Sequence, residues 1–230
     1  MLSSLVSSMP VYDAGQLSTD LKRTVCISGH REKSIAPYHG DPVLLNITVS
    51  AVKLMLARYI DMAAERGFDT FISGLATGTD LWAAEYIIRK KRSNSEIRLI
   101  GAMPYLRHAE MFSSADRVTL AEIEHNADYL VTVDPDPDII YNRADKNGSA
   151  KLYRNRNYYM VDRSSAVIAF FNSGSSFSGT SQTVSYAYRT GRKICRFGLE
   201  DIFSVIDKAG TDIRAIGREI AFLENVFDKD

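Results

Sequence analysis

Short apolar runs, half of them stopping at glycine, alternate along this chain with longer segments whose apolar residues recur every three to four positions. No other feature limits the fold so strongly. "RTVCISG" (23–29), "FDTFISG" (68–74), "IRLIGAM" (97–103), "ADYLVTV" (127–133), "SAVIAFF" (165–171) and "RKICRFG" (192–198) read as six buried strands. The intervening pattern is helical over 42–66, where Leu44, Ile47, Ala51, Leu54, Met55, Tyr59 and Met62 fall near one face and Gly67 is the stop. It is helical again over 80–93, with Ala84, Ile87 and Ile88 inward, then up to His125, from about Gly179 to Thr190, and over 212–227.

Strand–helix alternation of this length implies parallel strands joined by crossovers, with helices on both faces. The expected fold is a three-layer α/β/α Rossmann-like sandwich with a mainly parallel sheet. Residues 23–230 form its single domain, and residues 1–22 are a flexible or accessory segment with a frayed start. "DPDPD" (134–138) and "NRADKNGSAK" (142–151) are read as one long polar loop.

Lysine plus arginine balances aspartate plus glutamate, 28 against 28, which leaves no global attraction for nucleic acid or an anionic membrane. No apolar run approaches the roughly 20 residues that cross a bilayer. The start lacks the basic and apolar regions of a leader, so a cytoplasmic protein is expected. Cys26 and Cys195 sit in strand patterns and are expected as buried thiols. His39, His108 and His125 are too scattered for a metal site, and no metal or cofactor is expected.

In open α/β sheets a ligand sits beyond the carboxyl ends of the strands. Three turns there are rich in small polar residues: "SGHR" (28–31), "SGLATGTD" (73–80) and "NSGSSFSGTSQT" (172–183). Glycine lets backbone approach a ligand, and the exposed N–H groups of a helix start favour phosphate or carboxylate. Ser178, Thr180 and Ser181 add hydroxyls at the third turn, Thr77 and Thr79 at the second. Asp80 is either a helix cap or an acceptor for a ribose. Arg31 is a bidentate phosphate partner, whereas His30 is a proton donor or a satisfied loop histidine. No turn carries the Walker A lysine, and the first lacks G-x-G-x-x-G.

"FISGLATGTDLWAAE" (71–85) resembles the S-G-x-A-x-G-x-D-x-x-A motif of the SLOG superfamily, which includes DprA/Smf and the LOG phosphoribohydrolases. "ISGHR" (27–31), "YRNRNYYMVDRSSAVIAFFN" (153–172) and "SGTSQTVSYAYRTGRKI" (178–194) are similar to the YpsA-like branch. The resemblance runs from about Thr24 to Phe197. It implies a Rossmann-like domain that binds a nucleotide or nucleotide-derived small molecule, as a sensor or sequestering protein, and a homo-oligomer, a homodimer supported by Tyr188 and the apolar face of the second helix. In the hydrolase branch a glutamate follows the third glycine turn; here Thr183 stands in its place, which weakens the enzyme reading.

The expected ligand site has Ser28, Gly29, His30 and Arg31 as a wall and Gly74, Thr77, Gly78, Thr79 and Asp80 as its floor. Gly174, Ser178, Gly179, Thr180 and Ser181 hold the phosphate, and at least one of Arg154 and Arg156, in the basic-aromatic stretch 151–159, assists. Two alternatives stand beside this. The first is cleavage of a nucleotide's N-glycosidic bond with Asp80 or Glu85 as the acid, although a buried or salt-bridged structural role for Glu85 is preferred. The second is single-stranded DNA binding, which the neutral charge disfavours. Trp82 is read as a core or interface residue.

Overall fold

The computed structural model describes residues 2–35, 40–142, 144–172 and 178–228. Eight strands form one sheet: β1 (Leu2–Ser3), β2 (Pro10–Asp13), β3 (Thr24–Gly29), β4 (Thr70–Ser73), β5 (Arg98–Tyr105), β6 (Tyr129–Asp134), β7 (Ala166–Phe170) and β8 (Lys193–Phe197). Their order is β1-β2-β6-β5-β4-β3-β7-β8, and every pairing is parallel except β1 with β2. The chain steps outward from β3 through β4, β5 and β6, then returns to the other side of β3 for β7 and β8. The strand order therefore reverses between β3 and β7.

Side chains alternate across the sheet with period two. Val25 and Ile27, Phe71, Leu99 and Met103, Leu130, and Ala166, Ile168 and Phe170 pack into one layer. Cys26, Ile72, Ile100 and Ala102, Val131, Val167 and Ala169 pack into the other. Five helices cover the first layer: α1 (Pro42–Glu65), α2 (Thr79–Ser93), α3 (Ser114–Asn126), α6 (Leu199–Ala209) and α7 (Ile213–Ala221). α4 (Lys146–Asp162) and α5 (Gly179–Arg189) cover the second. This is the three-layer α/β/α sandwich that the alternation of strands and helices implies.

Four features differ from the sequence reading. Residues 2–13 are not frayed: β2 joins the sheet edge, with Tyr12 opposite Val131 and Asp13 opposite Thr132. Ser4 Oγ also donates to the buried Glu124 carboxylate at 2.6 Å. The polar loop ends sooner than expected, because Asp145 caps α4 by accepting from the Gly148 N–H at 2.9 Å. α6 was not foreseen, although Ile202, Val205 and Ile206 have helical spacing and Gly210, at φ 73°, ends the helix.

α1 is the fourth. It is long and apolar enough to cross a membrane by length and composition, with a mean hydropathy of 1.5 over its best window. Its apolar face (Ala51, Val52, Met55, Leu56 and Ile60) is buried in the first layer, as a core helix requires. Cys26 and Cys195 are buried free thiols, as expected, and burial raises them to about 12 and about 11.

Candidate functional site

The first two glycine turns interlock. Thr79, the first residue of α2, donates its hydroxyl to the His30 carbonyl at 2.7 Å, and its N–H points to the same oxygen at 3.4 Å. A side chain at Gly29 would come within 2.5 Å of Thr79. Gly78 caps α2 at φ 87°, where a Cβ would lie 2.8 Å from Arg31 Cα. These residues hold two loops in contact, so Gly29 and Thr79 are spent on the scaffold. Ser28 is buried within β3. Leu75, between the turns, is held at φ 55° with its side chain wholly buried, a conformation that costs a non-glycine residue energy.

Beneath the second turn lies a buried ion pair. Arg156 Nη1 donates to Asp80 Oδ2 at 3.3 Å, and both side chains are almost wholly enclosed. Asp80 also accepts from the Ala76 N–H at 3.4 Å, and Ser73 Oγ donates to its carbonyl at 2.8 Å. Burial pushes the Asp80 carboxyl up, and the Arg156 guanidinium pulls it back down. Burial likewise lowers Arg156, with Asp80 opposing. Asp80 is therefore not the helix cap, a position Gly78 holds; it is an acid in the first turn, where the helix dipole favours it. Gly74 exists for the same pair: a Cβ there would fall 1.4 Å from Arg156 Nη1.

Arg154 and Arg156 do not converge. Two positions apart on a helix they point about 200° away from each other, and Arg154 is exposed while Arg156 is buried.

His30 is the satisfied loop histidine of the two readings. Its Nε2 accepts from the Asn172 N–H at 3.1 Å, and its ring meets Phe170 edge-on at 5.8 Å. Burial lowers its pKa. Asn172 Oδ1 accepts from Leu199 N–H at 2.9 Å. His30 and Asn172 thus tie the ends of β3 and β7 together at the strand-order reversal, where such sheets usually seat a ligand.

An open cavity of about 1140 Å³ lies beside it, over the carboxyl ends of β3, β4 and β5. Arg31, Thr77 and Gly78 line it from the two turns, with Trp82 and the exposed Glu85 from α2. Lys33, Lys53 and Asp116 add charge, and Lys53 sits 5.0 Å over the Trp82 ring. His108, Phe112, Tyr141 and Tyr153, which the sequence reading did not single out for a site, form its aromatic wall. A smaller groove of about 340 Å³ continues past Trp82 and Glu85 to Arg89 and Arg92.

The described part of the third turn, residues 178–183, does not line this cavity. Gly174 lies outside the described residues. Ser178 and Ser181 cap α5 reciprocally, each backbone N–H donating to the other's hydroxyl at 3.1 Å. Thr180 is buried, and Gly179 faces Asn157 of α4. None of Ser178, Gly179, Thr180 and Ser181 lines the cavity, so among the described residues it is the first two of the expected turns that meet there. Thr183, at the hydrolase glutamate's position, is buried and donates to the Gly179 carbonyl at 2.8 Å. Glu85 is neither the buried nor the salt-bridged acid expected: it is exposed, and its carboxylate takes part in no ion pair among the described residues. No three His, Cys, Asp or Glu side chains cluster as a metal site would need among the described residues.

A mostly parallel α/β sheet with interlocked glycine turns and a cavity at its carboxyl edge defines a Rossmann-like class of fold. Within that class the chain belongs to the YpsA group described as the YspA SLOG family, whose model matches residues 25–196. A UPF0398 protein of Halalkalibacterium halodurans is 25% identical over 124 residues, 54% of this chain and 61% of its own length. A UPF0398 protein of Enterococcus faecalis is 25% identical over 118 residues, 51% and 63% of the two chains. The SPbeta prophage-derived protein YoqJ of Bacillus subtilis is 30% identical over 123 residues, covering 52% of this chain and 70% of its own. The matched region thus spans about three fifths of the UPF0398 relatives.

Proposed function

We propose that the protein binds a nucleotide or nucleotide-derived small molecule and works as a sensor or sequestering protein. The observation that carries this reading is the meeting of the first two glycine turns at one open cavity, with Arg31, Thr77 and Gly78 on its wall. The start of α2 brings positive dipole charge there, and Arg31 offers a planar fork for a phosphate. Trp82 and the tyrosines supply apolar surface for the rest of the ligand. The phosphate seat is placed at Arg31 and α2 rather than at α5, whose capping hydroxyls are already engaged.

Calorimetry with the 5′-diphosphates of the four ribonucleosides tests it, together with native mass spectrometry of the freshly purified protein. At least one nucleotide should bind, and Arg31→Ala should weaken it about tenfold or more, the loss of a charge-assisted bond worth roughly 1.5–3 kcal/mol. Binding indifferent to Arg31 would remove the phosphate seat.

A second reading has one observation in its favour: Glu85 presents an unbridged carboxylate to the cavity. Release of free base from a bound nucleotide, abolished by Glu85→Gln, would make the protein an N-glycosidase.

A further inference from the structure

We infer that the cavity wall formed by the β5–α3 connection and α4 is a nucleobase subsite, in which His108 reads the hydrogen-bonding edge and Tyr153 supports the ring. The inference rests on the nucleotide-binding reading and assigns the part of the ligand that the glycine turns leave unaccounted for.

His108 carries the argument. It lines the cavity, yet only 4% of it is exposed, and neither ring nitrogen has a hydrogen-bond partner among the described residues. The carbonyls of Tyr105 and Leu75 face the ring outside hydrogen-bonding geometry. Nitrogens left bare in a protein interior are uncommon and costly, and they call for a partner that the folded chain does not itself provide. Tyr105 and Phe112 hold the ring by its edges, at 6.5 and 5.7 Å. Tyr153 is half-buried on the same wall, and its hydroxyl touches only Tyr105 Oη, at 3.4 Å. The exposed Tyr141 completes the wall.

The chemistry suits a flat heteroaromatic ring. Aromatic side chains accept such a ring by stacking or edge contact. A neutral imidazole offers one donor and one acceptor, the pairing found along a base edge. Burial, with Arg156 adding to it, drops His108 to about 3, so the imidazole is neutral at any physiological pH. Both nitrogens are buried, so contact with a ligand needs a turn of the ring, an adjustment common on binding.

The test is the spread of affinities across ADP, GDP, CDP and UDP, measured by calorimetry on the parent, His108→Phe and Tyr153→Leu. The parent should discriminate among bases. His108→Phe should weaken the preferred base roughly tenfold and leave the least favoured within about twofold, collapsing the ranking. Tyr153→Leu should compress the same ranking. Phenylalanine keeps the edge contacts and buries no bare nitrogen, so the melting temperature should hold or rise; should that variant fold poorly, Tyr153→Leu decides alone. Parallel loss on all four nucleotides, no loss at all, or a parent without preference would overturn the subsite while nucleotide binding stands. A parent that binds none of the four removes the nucleotide reading and the subsite together.

Discussion

At position 74 the glycine makes room for the protein itself. An arginine 76 residues further along than Asp80 reaches under the turn and occupies the volume that a methyl group would need. Gly74→Ala should therefore cost about 1–3 kcal/mol by overpacking. Arg156→Ala should cost about 3–5 kcal/mol, because it strands a buried carboxylate. The two losses should not add: with Arg156 already removed, Gly74→Ala should cost far less, a coupling that urea unfolding of the four proteins in a double-mutant cycle would measure. Full additivity would mean that the alanine is relieved by backbone movement. The motif was legible as a glycine turn, because glycine is what a close approach demands. What approaches was not legible, since the partner comes from a distant helix with no local pattern to announce it. His108 escaped notice for a similar reason: a lone histidine between β5 and α3 has no spacing to mark it, and only its buried, unbonded nitrogens set it apart.

At the scale of elements, the six strands β3 to β8 were legible because their residues are apolar on both faces, and glycine marks the ends of several of them. α4 was misjudged at its start: Asn147 and Gly148 look like loop residues, but Asp145 in front of them supplies the cap that lets the helix begin. The N-terminal strands were missed for lack of length, with two residues in β1 and four in β2. Their contribution is nonetheless specific. β2 covers the open edge of β6, and Ser4 donates to the buried Glu124 carboxylate. Deleting residues 2–13 should lower the melting temperature by several degrees, on the scale of about 2–4 °C per kcal/mol for a domain of this size. It should also promote concentration-dependent association through the bared edge. Light scattering and thermal melts would register both, and a monomeric variant with the parent's melting point would mean the strands contribute nothing measurable.

For the whole molecule, the balanced charge leaves its response to acid to a few buried groups. His108 titrates at about 3 in the folded state against an ordinary value of 6.5, and His30 is lowered as well. Between those limits the unfolded chain holds more protons, so stability is complete above about pH 6.5 and falls as the pH drops. Asp80 is raised and acts in the opposite sense, with Arg156 facing both it and His108. Comparing melting temperatures of the parent and His108→Phe from pH 7 to 4.5 isolates the imidazole. The parent should lose up to about 1.4 kcal/mol per pH unit more than the variant. Identical curves would place His108 in contact with water.

The clasp by which Thr79 grips the His30 carbonyl has an architectural result. It fastens the end of β3 to the start of α2, and among the described residues the wall of the adjoining space comes from positions 31 to 153. An occupant resting on either loop would tug on its neighbour as well, so both would answer as a single body.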